Sequence, residues 1–147
     1  PIPNALHANM FLVQNAAQVM ETDVFVLDEK VPFQDLLARS EGPPFRHVVV
    51  TREHEICGVL RINTGLRRAV SQSDLNITLG TLAQRNFIVV FENEVAFGVI
   101  TRLWKQHAVM AVVVGREQGL GPARVLGVIA KEHIADAVAS SIRIFPG

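Results

Sequence analysis

Few side chains in this chain are spaced for catalysis. His54-Glu55 begins the H-E-x-x-H pattern in which two histidines hold zinc, but the closing position is Gly58, so the second ligand is missing. The other histidines, His7, His47, His107 and His133, show no paired spacing with acidic residues, and each reads as a surface or satisfied core imidazole. No G-x-S-x-G nucleophile elbow occurs. The loop Gly119-Leu120-Gly121-Pro122 lacks the Gly-Lys-Ser/Thr ending of a phosphate-binding loop and also fails the dinucleotide fingerprint. Cys57 is the only cysteine, which excludes a disulfide framework and a multi-thiolate site within one chain and fits a reducing compartment. It abuts an apolar strand and reads as inert packing. This inventory points away from an enzyme and requires no cofactor.

The totals narrow the classes further. Of 147 residues, 49% are hydrophobic and 19% charged, the composition of an ordered globular domain rather than a disordered one. Fourteen basic and fourteen acidic residues cancel, so the basic excess that neutralises nucleic-acid phosphates is missing. Arg67-Arg68 reads as a solvated helix face. Charged residues interrupt every apolar run before the length of about eighteen that spans a bilayer, so the chain reads as soluble. It starts at Pro1-Ile2-Pro3 without an initiator Met or a signal-peptide pattern, and is expected to be a segment of something longer.

The elements that position any site are organised by an internal repeat. Residues 24–37 (VFVLDEKVPFQDLL) lie over residues 88–101 (IVVFENEVAFGVIT) at an offset of 64, matching Val31 with Val95 and Phe33 with Phe97. At the same offset Val48 to Glu53 (VVVTRE) lies over Val112 to Glu117 (VVVGRE). Gly58-Val59-Leu60 then matches Gly127-Val128-Ile129 at an offset of 69, with the extra residues in a Gly/Pro-rich hairpin loop. Each unit reads as strand, helix, strand, strand, helix. Val24 to Leu27 is a strand, and Pro32 suits a helix's first turn. Phe33, Leu36 and Leu37 supply that helix's buried face. Phe97, Ile100, Leu103 and Trp104 form the corresponding stripe in the second unit. Val48 to Val50 and Ala111 to Val114 read as strands covered on both faces, leading into strands at Ile56 to Ile62 and Val125 to Ala130. Final helices carry Leu66, Ala69 and Val70, and Ile134, Ala135, Val138 and Ile142. Units this small are expected to pack on each other around a pseudo-twofold axis.

A doubled β-α-β-β-α unit with Gly and two aliphatics ending its last strand resembles the CBS domain family. Val19 to Val24 (VMETDV) resembles the family's lead-in to the first strand, with Leu82 to Phe87 (LAQRNF) as a weaker counterpart. The resemblance covers about Ala16 to Ser141. It implies an α/β module with a connector at 1–15, one CBS repeat at 16–72 and another at 73–147. Residues 3–10 (PNALHANM), 59–68 (VLRINTGLRR) and 128–135 (VIAKEHIA) are similar to the C-terminal cytosolic CBS pair of prokaryotic CLC-type chloride channels and transporters. That likeness implies a membrane-embedded channel domain upstream in the same chain, a place at the cytoplasmic face of the cell membrane, and assembly as a homodimer. The other readings are a ligand-free dimerisation module and a CBS sensor attached to another transporter or enzyme.

The family often binds adenine nucleotides through a G-h-h-[Ser/Thr]-x-x-[Asp/Asn] pattern where the last strand enters the last helix. There a hydroxyl and orphan N–H groups meet phosphate, and a carboxylate one turn on holds ribose. This chain departs from the pattern: the hydroxyl and carboxylate positions are Ala130 and His133 in the second repeat, and Arg61 and Thr64 in the first. Arg61 and Lys131 would pair with phosphate or stand as exposed residues at helix starts. Asn63 and Thr64 would meet ribose or cap the helix. Asp23 and Val24, with Asn86 and Phe87 as counterparts, would face the same clefts, though Asp23 and Asn86 also suit turns. AMP, ADP or ATP is thus the regulatory ligand to test.

Overall fold

The computed structural model describes residues 13–39, 46–115 and 124–131. β-Branched runs become strands here, and short apolar stripes between turns become helices. In chain order these are α1 (Ala16–Val19), β1 (Val24–Asp28), α2 (Phe33–Arg39), β2 (His47–Arg52), β3 (Glu55–Arg61), α3 (Ile62–Ser71), α4 (Leu79–Leu82), β4 (Phe87–Phe91), α5 (Ala96–Lys105), β5 (Met110–Gly115) and β6 (Arg124–Ala130). They build two three-stranded sheets, ordered β1-β2-β3 and β4-β5-β6, so the chain is α/β as expected. β1 runs parallel to β2, and β2 antiparallel to β3. β5 and β6 are likewise antiparallel. No helix among the described residues is long and apolar enough to cross a membrane.

The repeat is present, but its offset through the first strand, helix and second strand is 63 rather than 64. β1 begins at 24 and β4 at 87, while α2 begins at 33 and α5 at 96. Val50 faces Gly58 as Val113 faces Gly127, each just before a register shift. Phe33 therefore corresponds to Ala96, and both are completely buried, whereas Phe97 is 51% exposed. Matching like side chains misplaced the alignment by one residue, and a one-residue slip is what backbone pairing and burial do not tolerate.

The same slip explains the helix stripe. The buried residues of α5 are Ala96, Val99, Ile100 and Leu103, a complete i, i+3, i+4, i+7 set. Phe97 and Trp104 lie one position further round and face outward, so they are not part of the packing stripe. In α3 the buried set is Ile62, Gly65 and Ala69, while Leu66 and Val70 are exposed. Pro32 precedes α2 rather than sitting in its first turn, and its carbonyl accepts the Asp35 and Leu36 N–H groups. Phe33 and Leu36 are buried and Leu37 half-buried, as the sequence implied. The runs Val48 to Val50 and Ala111 to Val114 are buried throughout. The final helix of the second repeat lies outside the described residues beyond Lys131.

Two short helices were not anticipated, and they change how the chain is grouped. α1 opens on a capping box between Asn15 and Gln18, and α4 on Thr78, whose hydroxyl accepts from the Thr81 N–H. α4 leads to Gln84, which pairs with Val59 of β3, but α1 leads to Glu21, which pairs with Val128 of β6. The lead-in ahead of the first repeat therefore belongs to the second sheet. Asp23–Phe87 forms one compact unit, and the stretch up to Thr22 with Ile88 onward the other. This grouping follows packing rather than order along the chain.

Each unit has its own core. In one, Phe33, Leu36, Val48, Val50, Leu60 and Leu82 come together. In the other, Ile88, Val90, Val99, Leu103, Val113 and Ile129 do so. α3 and α5 end alike: Ser73 (φ 52°) and His107 (φ 53°) adopt left-handed conformations. The next residues, Asp74 and Ala108, return N–H groups to Ala69 and Leu103. This double closure satisfies terminal carbonyls without a glycine. Arg68 is no idle surface cation, because its Nη1 donates to the Leu82 carbonyl at 2.9 Å and ties α3 to α4.

Candidate functional site

The strand register gathers part of the sequence-predicted site in a row. Val24 faces His47 across β1 and β2, and His47 faces Arg61 across β2 and β3. Exposed Asp23 precedes the row, and α3 starts beside it, with the Ile62 N–H bound to the Arg46 carbonyl at 3.0 Å. Arg61 is the residue before the helix and makes no side-chain cap. Asn63 and Thr64 are the second and third residues of α3, inside the first turn rather than in the capping position, with Asn63 exposed and Thr64 half-buried. Capping therefore does not account for them. An exposed guanidinium, an amide and a hydroxyl thus sit at the first turn of a ten-residue helix, where N–H groups lack intrahelical partners and favour anions.

His47 was missed as part of this row. It is 1% exposed and the one buried polar or charged side chain among the described residues. Its polar type inside the run His47-Val48-Val49-Val50 was the available signal. The three-strand register was needed to place it between Val24 and Arg61.

The second unit offers a poorer set. Phe87 starts β4 with exposed Asn86 before it, and Ala130 ends β6, buried and opposite Met110. That row has no polar group where the first has His47 and Arg61. Lys131 places its Nζ 4.7 Å from the centre of the Trp104 ring, a cation–π contact that competes with phosphate for the ammonium. His133 lies outside the described residues.

The glycine opening each G-h-h stretch has a packing role. A Cβ at Gly58 would come 2.7 Å from the Ala83 Cβ, and one at Gly127 would overlap the Glu21 carbonyl oxygen. These glycines let each lead-in lie on its strand. No cluster of three or more His, Cys, Asp or Glu suited to a metal occurs among the described residues. Burial, with the Glu29 carboxylate adding to it, pushes the Cys57 thiol above its ordinary value and keeps it from the reactive thiolate form.

Neither the family models nor the curated proteins contain a match to this chain. Solved structures do. The CBS domain of a bacterial CNNM/CorC family Mg2+ transporter, determined in complex with ATP, aligns with a TM-score of 0.69 at 18% identity, covering 92% of this chain and 94% of that one. A CBS-containing hemolysin-like protein of Oenococcus oeni PSU gives 0.69 at 18% identity over 90% and 96% of the two chains. The CBS pair of protein MJ0100, determined with 5′-methylthioadenosine and S-adenosyl-L-methionine, gives 0.66 at 16% identity over 87% and 98%. The fold is that of a tandem CBS pair.

Proposed function

We propose that this chain is the regulatory CBS pair of a membrane transporter, binding an adenine nucleotide at the end of its first sheet. The observation that carries the reading is the row Val24–His47–Arg61 with Asn63 and Thr64 on the adjoining helix turn, in a fold whose solved examples include complexes with ATP and with two adenosine derivatives. Arg61 would meet phosphate and Thr64 ribose, with Asp23 closing the edge. The Phe87–Ala130 end is the weaker candidate, because the Ala130 side chain carries no hydrogen-bonding group and the Lys131 ammonium lies over the Trp104 ring. A nucleotide would regulate only by preferring one arrangement of the chain over another.

Calorimetric titration of nucleotide-free protein with AMP, ADP and ATP tests this. Saturable binding is expected, weakened about tenfold in Arg61→Ala, the loss of one charge-assisted contact. Absence of both heat and thermal shift at millimolar nucleotide would leave the ligand-free dimerisation reading, which the apolar Ala130 favours. The transporter type has two supports. Residues 59–68 and 128–135 favour a CLC-type chloride channel or transporter, while the CNNM/CorC similarity favours a Mg2+ transporter. Upstream gene sequence encoding many apolar spans would attach the module to a membrane, and the Lys/Arg bias of the connecting loops would test the expected cytoplasmic face. A homodimer is the expected assembly, checked by light scattering.

A further inference from the structure

At the opposite end of the first sheet the chain builds a polar groove of about 480 Å³. Its walls come from the turn after β1, the end of β2 and the segment around α4. Lys30, Arg52 and Arg85 line it together with Thr78 and Thr81, against one carboxylate, Glu29. That carboxylate is already engaged, since Oε2 accepts from Arg52 Nε at 2.8 Å. Arg85 is held by one Nη1 bond to the Cys57 carbonyl at 3.2 Å. A guanidinium carries five N–H donors, so each of these contacts leaves most of them over.

The groove's construction is specific. The Gly80 N–H donates to the Glu29 carbonyl at 2.9 Å, and a Cβ at Gly80 would come 2.9 Å from the Glu29 Cβ. The equivalent bond in the other unit, Ala17 N–H to the Glu92 carbonyl at 3.0 Å, is made without glycine. At the 63-residue offset, Lys30, Arg52 and Arg85 correspond to Asn93, Gly115 and Thr22. The fold is therefore built once without any of the three cations, and their convergence in one unit is not a requirement of folding.

We propose that this groove binds a small, soluble, phosphate-rich ligand at a site separate from the Arg61–Thr64 end. Its size is that of small-molecule sites, and guanidinium pairs suit phosphate oxygens. Among its lining residues only Gly80 and Ala83 are apolar and none is aromatic, so no apolar slot encloses a nucleobase there. That chemistry selects a pyrophosphate-like anion over a nucleoside.

The test follows backbone amide shifts of the whole chain during titration with pyrophosphate, with sodium chloride at matched ionic strength as control and AMP as a separate arm. Pyrophosphate is expected to move Glu29, Gly80 and Thr81 saturably, leaving Asn63 and Thr64 in place. Lys30→Asn with Arg85→Thr, which installs the residues the other repeat carries, should weaken it about tenfold or more. Arg52→Gln provides a second variant should that pair lose its dispersed spectrum. Shifts centred on Asn63 and Thr64, unchanged affinity in the folded variants, or no saturation beyond the chloride control would overturn the proposal. AMP reports independently on the nucleotide site, so either site can fail alone.

Discussion

Phe33→Ala is expected to destabilise the protein by about 3–5 kcal/mol, the largest effect of any single change considered. Phe33 is fully buried in the cluster with Leu36, Val48, Val50 and Leu60. Its ring also rests where a Cβ on Gly65 would come within 2.9 Å, so α3 was brought close against it. Truncation removes the transfer energy of a whole ring and leaves a cavity walled by β2 and α3, which cannot close it without breaking strand pairing. A domain's total stability is only about 5–15 kcal/mol, so a large fraction would go. Denaturant unfolding should show a lower midpoint at unchanged slope. A loss below about 1 kcal/mol would mean that Phe33 is not the centre of this core.

Gly127→Ala comes next, with an expected loss of about 3 kcal/mol through overpacking and forfeited hydrogen bonds. The new methyl would overlap the Glu21 carbonyl oxygen and approach the Met20 sulfur at 3.0 Å. A backbone oxygen cannot swing aside as a side chain can. The lead-in would have to lift, giving up the reciprocal Glu21–Val128 bonds of 2.8 and 2.9 Å. Hydrogen exchange should show the Val128 amide losing protection first. Gly98→Ala is the contrasting control: nothing lies within 4 Å of its added Cβ, and the position is helical. It should stabilise by about 0.5–1 kcal/mol. If both alanines proved neutral, close approach of the lead-in would not be what the Gly127 position requires.

Much of the architecture was legible because it rests on local pattern. The continuously apolar, Val-rich runs at Val48 to Val50 and Ala111 to Val114 read as strands covered on both faces, and they are buried. The pairing of Gly58 with Gly127 was also readable, since the lead-in segments exclude any side chain there. The alignment between them was harder. Phe33 and Phe97 look alike, yet their burial differs completely, because chemical likeness does not reveal which face of a helix a residue occupies. The candidate site was half legible. Arg61, Asn63 and Thr64 were named from a short pattern. His47 lies fourteen residues upstream of Arg61 and becomes its neighbour only when β2 pairs with β3.

By itself, the sequence determined the α/β class and the duplication, because periodicity and residue type are properties of the chain alone. Tertiary structure decided the 63-residue register, the outward turn of Phe97 and Trp104, and the docking of the first lead-in on the second sheet. It also decided that Lys30, Arg52 and Arg85 share one groove. Each of these depends on backbone hydrogen bonds between segments distant in sequence, whose partners local side-chain pattern does not specify.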